Sequence, residues 1–384
     1  MIDTVVLTLP VNQFRIMEHG RFTPSSLGLY QPPYYSLGSG YMKCVQNPTP
    51  EELRSGMYKP RLTVSKRPMR GGFAVMLKIE FSVPKLVFGN NFDEVTEAEF
   101  EPAIKRLYER LYDMGVVVMP AVLRDAPVSA IHYSKNILLT DYSTPQAILT
   151  ELAKVNLSQR LDLNQTDFRN EGHAVKFRAN SYEIICYDKL KDLRKAKTSE
   201  KRAIEKDNGV QLHLFERVTL PKPFEVLRME VRINKRVKLT SLLEKLKYPV
   251  PLTFRCLYDP SLAQAVLRHY FAELAAAYTV IPPKPDSWAT FAWNFRQAHP
   301  KSRASTMLQV AGAICFLNEL GERGFREVMR GHGASCWPRL KKKLIELTPS
   351  DRRFPAAQII QKALDEFIPM RVPSQTKNSV DVTQ

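Results

Sequence analysis

The chain holds 384 residues, and its 56 Lys and Arg outnumber 39 Asp and Glu to give a formal charge of +17. A composition of 44 % apolar and 25 % charged residues belongs to an ordinary globular protein. It excludes a disordered chain, a collagen-like one and a small disulfide scaffold. The five cysteines (Cys44, Cys186, Cys256, Cys315, Cys336) are widely spread and form no CxxC or Cys/His spacing. They read as reduced thiols of a cytosolic compartment. No stretch approaches the roughly 20 apolar residues of a membrane span. The opening, MIDTVVLTLPV, has an acid where an export signal needs a base. A cytoplasmic protein with no membrane partner is the expectation. The positive excess favours a polyanion such as nucleic acid; the alternative is that the charge serves solubility alone.

The first 95 residues read as strands with long loops. Val5-Val6-Leu7-Thr8-Leu9 is a strand-like run, and residues 61–66 and 73–83 alternate with period two around the turn Arg67–Gly72. From Leu53 to Gly72 there are six basic residues and no acid. A helix is predicted over 97–114, with Thr96 and Glu99 forming a capping box, Phe100, Ile104, Leu107 and Leu111 on one face, and Gly115 ending it. A strand over 128–139 follows, then a helix opening at Thr144-Pro145 with Ile148, Leu149, Leu152 and Val155 buried. Residues 174–178 and 182–187 make a hairpin. Residues 188–208 are highly charged and suit a solvated helix or a mobile arm. A strand at 225–235 closes this part.

Beyond residue 238 the pattern is helical, at 239–247, 261–279, 303–320, 323–331, 336–347 and 355–367. The expected class is α+β: an N-terminal antiparallel sheet with helices packed on it, then an all-α region. The divisions expected are a sheet domain over 1–237, a helical connector over 238–300, a basic helix-turn-helix-like unit over 301–371 and a disordered tail over 372–384. In the basic unit Leu308, Ala311, Ile314, Phe316 and Leu317 are the expected core, Gly321 and Gly324 the turn, and Lys341 and Lys342 candidate DNA contacts.

No P-loop, dinucleotide fingerprint, GxSxG elbow or paired-histidine metal motif is present. What remains are polar residues on strands. Tyr187-Asp188-Lys189 ends one strand, and Lys189 there suits lowering the tyrosine pKa or neutralising a phosphate. Arg228, Glu230 and Arg232 share one strand face, a carboxylate between two phosphate-binding cations. His132 suits a divalent ion, with Lys135 and Asn136 near phosphate. Glu80, Lys85 and Gly89-Asn90-Asn91 form a turn whose amides can approach an anion. Each has a duller account: a strand-closing tyrosine, ordinary surface ion pairs, a hydrogen-bonded histidine, an exposed hairpin tip.

Five segments, in order along the chain, resemble the replication initiators of filamentous phages. These are Met1–Pro10 (MIDTVVLTLP), Lys85–Asn91 (KLVFGNN), Tyr187-Asp188-Lys189, Leu227–Arg232 (LRMEVR) and Ala311–Gly324 (AGAICFLNELGERG). The resemblance implies an enzyme that nicks double-stranded origin DNA through a 5′-phosphotyrosine, and later cuts and rejoins the displaced strand. It works in the bacterial host cytoplasm beside the host's helicase and polymerase. Tyr187 would then be the nucleophile and Lys189 its assistant. Glu230, His132 and Glu80 would hold Mg²⁺ or Mn²⁺. Arg228, Arg232, Lys85, Asn91, Lys135, Arg67 and Arg70 would contact phosphate. Ala130-Ile131-His132 departs from the R-x-D expected there, which makes His132 an unusual metal ligand. The alternative function is a DNA-binding regulator of phage or prophage replication that does not cut.

Overall fold

The computed structural model describes residues 1–29, 42–49, 51–52, 57–69, 72–139, 143–155, 167–169, 173–192, 225–278, 282, 284–333, 335–347 and 357–371. The predicted disordered tail, Arg70 and most of the charged arm after 188 lie outside these residues. The class is α+β, built on one large antiparallel sheet. Its strands are β1 (Ile2–Pro10), β3 (Met42–Gln46), β4 (Arg61–Met69), β5 (Gly72–Ser82), β7 (Val128–Leu139), β8 (Asp167–Arg169), β9 (Ala174–Arg178), β10 (Tyr182–Asp188) and β11 (Glu225–Ile233). They lie in the order β3-β4-β5-β1-β7-β11-β10-β9-β8. Two further short strands, β2 (Arg15–Ile16) and β6 (Val116–Val117), pair with each other.

Period-two alternation sorts the large sheet into two faces. Val5, Leu7 and Leu9 of β1 lie opposite Phe81, Ile79 and Leu77 of β5. On the other side of the sheet's centre, Ile131 and Tyr133 of β7 lie opposite Ile233 and Val231 of β11. All of these are buried in one continuous core. That face is covered by helices: α1 (Val83–Phe88), α2 (Phe100–Asp113), α3 (Pro120–Arg124), α4 (Pro145–Ala153), α5 (Arg236–Lys245), α6 (Phe254–Leu257), α7 (Pro260–Tyr278) and, from the far end of the chain, α11 (Ala357–Glu366). Helix α2 shows why the sequence specifies them. Thr96 and Glu99 close the predicted capping box, Ile104, Leu107 and Leu111 are buried, and Gly115 leaves the helix at φ +72°. Each of those buried side chains contributes about 1.5–3 kcal/mol.

The helices between 236 and 278, expected as a connector, belong to this same core, and so do Ile360 and Leu364. The separate helical unit is therefore α8 (Trp288–Ala298), α9 (Ala304–Arg330) and α10 (Cys336–Leu347), inserted between α7 and α11. Its own core joins Phe295, Val310, Ala313, Ile314, Leu317, Phe325 and Leu344. Leu308 and Phe316, expected inside, are 65 % and 48 % exposed. Ile314 and Leu317 are buried as expected, and Val310 and Ala313 complete the stripe with them. Gly321 (φ 70°, ψ 172°) breaks α9 in two as expected, whereas Gly324, the other glycine of the expected turn, lies within the helix that follows. The Cα hydrogens of Gly321 face the backbone of Lys154, where an added Cβ would come within 3.0 Å.

Candidate active site on the polar face of the sheet

The face away from the core is polar, and strand register builds the site from three rungs. His132, Arg232, Glu183 and Arg178 lie side by side across β7, β11, β10 and β9. The next rung is Ser134, Glu230, Ile185 and Lys176, and the third is Asn136, Arg228, Tyr187 and Ala174. Tyr187, His132, Glu230, Arg228 and Arg232, singled out from three separate stretches of sequence, thus share one patch.

Glu230 is held on two sides. Arg232 Nε donates to its Oε1 at 2.8 Å, and His132 Nδ1 lies 3.5 Å from the same oxygen. Burial alone would raise this carboxyl, but Arg232, Arg228 and His132 outweigh it and hold the group well below the usual carboxylate range. Burial also lowers the His132 pKa despite the pull of Glu230. At neutral pH the pair is therefore an anion beside a neutral imidazole, the protonation states that ligate a metal.

Arg228 is 2 % exposed, and its hydrogen bonds are internal. It donates to the Asn91 carbonyl at 2.6 Å and to Ser134 Oγ at 2.8 Å, and it pairs with Asp3 Oδ1 at 3.1 Å. It is thus a buried brace, where a flanking phosphate contact was expected. Lys189 is fully buried and donates to Asn91 Oδ1 at 2.6 Å. Its ammonium lies 6.0 Å from the centre of the Tyr187 ring. Burial, reinforced by Arg228, lowers its pKa to about 7. The expected lowering of the Tyr187 pKa by Lys189 is not what the site provides. Burial pushes that phenol well above its ordinary value, against the pull of Arg228.

Other expected residues fall elsewhere. Glu80 sits on β5 with β1 between it and β7. Two inter-strand steps of about 4.8 Å separate its backbone from that of His132. Its side chain is 3.6 Å from Lys78. Among the described residues, no group of three His, Cys, Asp or Glu side chains is gathered to hold a metal. His132 and Glu230 supply two suitable donors, and Glu80 does not join them. Lys135 points to the core side of β7, since neighbouring residues on a strand face opposite ways. It pairs there with Glu94 at 2.5 Å and donates to the Ile368 carbonyl. Lys85 is buried in α1, near the Tyr58 ring. Gly89–Asn91 follows α1 as its left-handed C-cap, so the segment is no hairpin tip. Arg67 lies on β4. Lys341 is tied to the buried Glu322 at 3.2 Å, while Lys342 is exposed and 3.8 Å from Glu346.

Sequence reasoning missed Asp3 and Ser134 as parts of the cluster, whereas Asn136 was expected near phosphate and lies beside Arg228 on the third rung. Asp3 carried a readable signal: a carboxylate inside the apolar run of β1 requires a buried cation, and Arg228 is that cation. No family model, curated protein or solved structure matches the chain. Among the described residues no helix is long and apolar enough to cross a membrane.

Proposed function

We propose that this protein is a rolling-circle replication initiator that nicks and rejoins DNA through a tyrosine. The observation that carries the reading is the convergence of Tyr187 with Arg228, Lys189, Glu230 and His132 on one polar sheet face. In the reaction proposed, the Tyr187 oxygen bonds to phosphorus as the phosphorus–O3′ bond breaks. The phenolic proton passes to the neutral amine of Lys189, and the departing 3′ oxygen takes a proton from solvent. The bond formed replaces the bond broken, so the step is reversible and rejoining needs no ATP. A divalent cation, which His132 and Glu230 would hold, supplies polarisation of the phosphoryl oxygen when bound.

Exposed cations extend the patch on both sides. Lys43, Arg61 and Lys78 lie on the same face of β3, β4 and β5, and Arg178 lies on β9. From β4 to β9 is six strand spacings, about 29 Å, long enough to track a short single strand. The non-cleaving regulator is favoured by one observation, the burial that raises the Tyr187 phenol. Incubation with supercoiled DNA and Mg²⁺ or Mn²⁺ separates the two readings. Nicked circles that Tyr187→Phe fails to make support the enzyme, and a mobility shift without nicking supports the regulator.

A further inference from the structure

Asn91 links the two cations that flank Tyr187. Its side-chain oxygen accepts from Lys189 Nζ at 2.6 Å, and its backbone carbonyl accepts from Arg228 Nη1 at 2.6 Å. The residue is itself firmly placed. Gly89, at φ +72°, turns the chain out of α1. Asn90 Oδ1 accepts from the amides of Phe92 and Asp93. The Phe92 carbonyl accepts from Asn136 Nδ2 at 2.8 Å, and Glu94 Oε1 accepts from the Asn136 amide at 2.6 Å. From the other end of the chain the Met370 amide donates to Glu94 Oε2 at 2.9 Å. The loop is therefore fastened to β7 immediately beyond Asn91.

We infer that Asn91 is a positioning residue, which sets the Lys189 amine against Tyr187 and makes no phosphate contact of its own. The inference rests on the tyrosine-nuclease reading. Its physical basis is that a buried amine among like charges needs a fixed acceptor. The charged groups facing Lys189 are Arg228 of β11, Lys85 of α1, Asp3 of β1 and Asp192 beyond β10. Two of these are cations that push the ammonium toward losing its proton, and Asn91 is the neutral acceptor that holds it in place. A carboxylate at position 91 would reverse that balance, whereas an alanine would release the amine and leave the Arg228–carbonyl contact in place.

The test uses the full chain carrying ¹³Cε-lysine, with Lys189→Arg identifying the Lys189 signal. The amine titration is read by NMR without DNA, and nicking is read as a pH–rate profile. Asn91→Asp is expected to raise the Lys189 midpoint by at least about one unit, with the acid limb of the rate profile moving equally. Asn91→Ala is expected to lower kcat by about 10- to 100-fold with little change in KM. Nicking whose pH dependence is unmoved by Asn91→Asp overturns the role of Asn91 alone. A wild-type protein that never nicks, while Asn91→Asp still moves the Lys189 titration, overturns the nuclease reading and the catalytic purpose assigned to Asn91.

Discussion

Tyr187 of β10 lies directly opposite Arg228 of β11 in the sheet register, and the two residues respond to burial in opposite ways. The arginine is enclosed and paired, whereas the tyrosine is half-buried with burial pushing its phenol up. Substituting each should therefore have different consequences. Tyr187→Phe keeps the ring and is expected to change stability by less than about 1 kcal/mol while abolishing nicking. Arg228→Met leaves Asp3 uncompensated at the sheet centre and is expected to cost about 3–5 kcal/mol. Denaturant unfolding of both variants measures the contrast.

Lys189 gives a pH dependence of known sign. Its folded pKa of about 7 lies below the ordinary lysine value of 10.5. Well below pH 7, both folded and unfolded chains carry the proton, and the folded one bears the cost of a buried charge. Between about 7 and 10.5 the folded chain sheds the proton first, so this residue's contribution to stability rises with pH. Lys189→Met removes the buried charge and is expected to stabilise by about 1–4 kcal/mol at pH 6. Because the half-buried Asn91 can then turn to water, the gain should not be offset there, and it should shrink toward pH 10. Thermal melts at the two pH values test this.

These predictions rest on contacts that were only partly legible in the sequence. The β7, β9, β10 and β11 strands were readable because each alternates strictly or is bounded by turn residues, and the capping box at Thr96 fixed the start of α2 in the same way. Tyr187, Glu230 and His132 stood out as polar residues on such strands. Their meeting was not readable, since strand order depends on pairings between residues far apart in the chain. For the same reason Glu80 could be grouped with them, although β1 intervenes. The charges of Lys135 and Arg228 suggest phosphate contacts, yet Glu94 and Asp3 pair them inside. In the helical unit several helix faces carry apolar residues, so the sequence offers Leu308 and Phe316 beside Ile314 and Leu317; packing against α8 and α10 buries only the latter two.

Gly321 joins the two halves of α9 in a backbone region that essentially only glycine occupies, against the Lys154 backbone. Gly321→Ala is expected to destabilise by about 1–3 kcal/mol, whereas Gly312→Ala, with open space around its Cα, should be neutral or slightly stabilising. Unfolding of the two variants side by side makes the comparison.

The cationic sheet face makes a further prediction for single-stranded oligonucleotides. Reversing charge at Lys78 and Arg178, both exposed, should weaken binding and flatten the log–log salt dependence by about 0.7 per lost phosphate contact. Fluorescence anisotropy over a salt series reads both quantities. A slope near zero in the wild type would remove the electrostatic part of the account.

The central claim is that Tyr187 becomes bonded to DNA. Supercoiled circles carrying the DNA that flanks the protein's own coding sequence, incubated with Mg²⁺ or Mn²⁺ and digested with nuclease and protease, provide the direct measurement by mass spectrometry. The account predicts a nucleotide phosphoester on the peptide containing Tyr187, absent in Tyr187→Phe. Nicked circles with no adduct, or an adduct on any other residue, would contradict it.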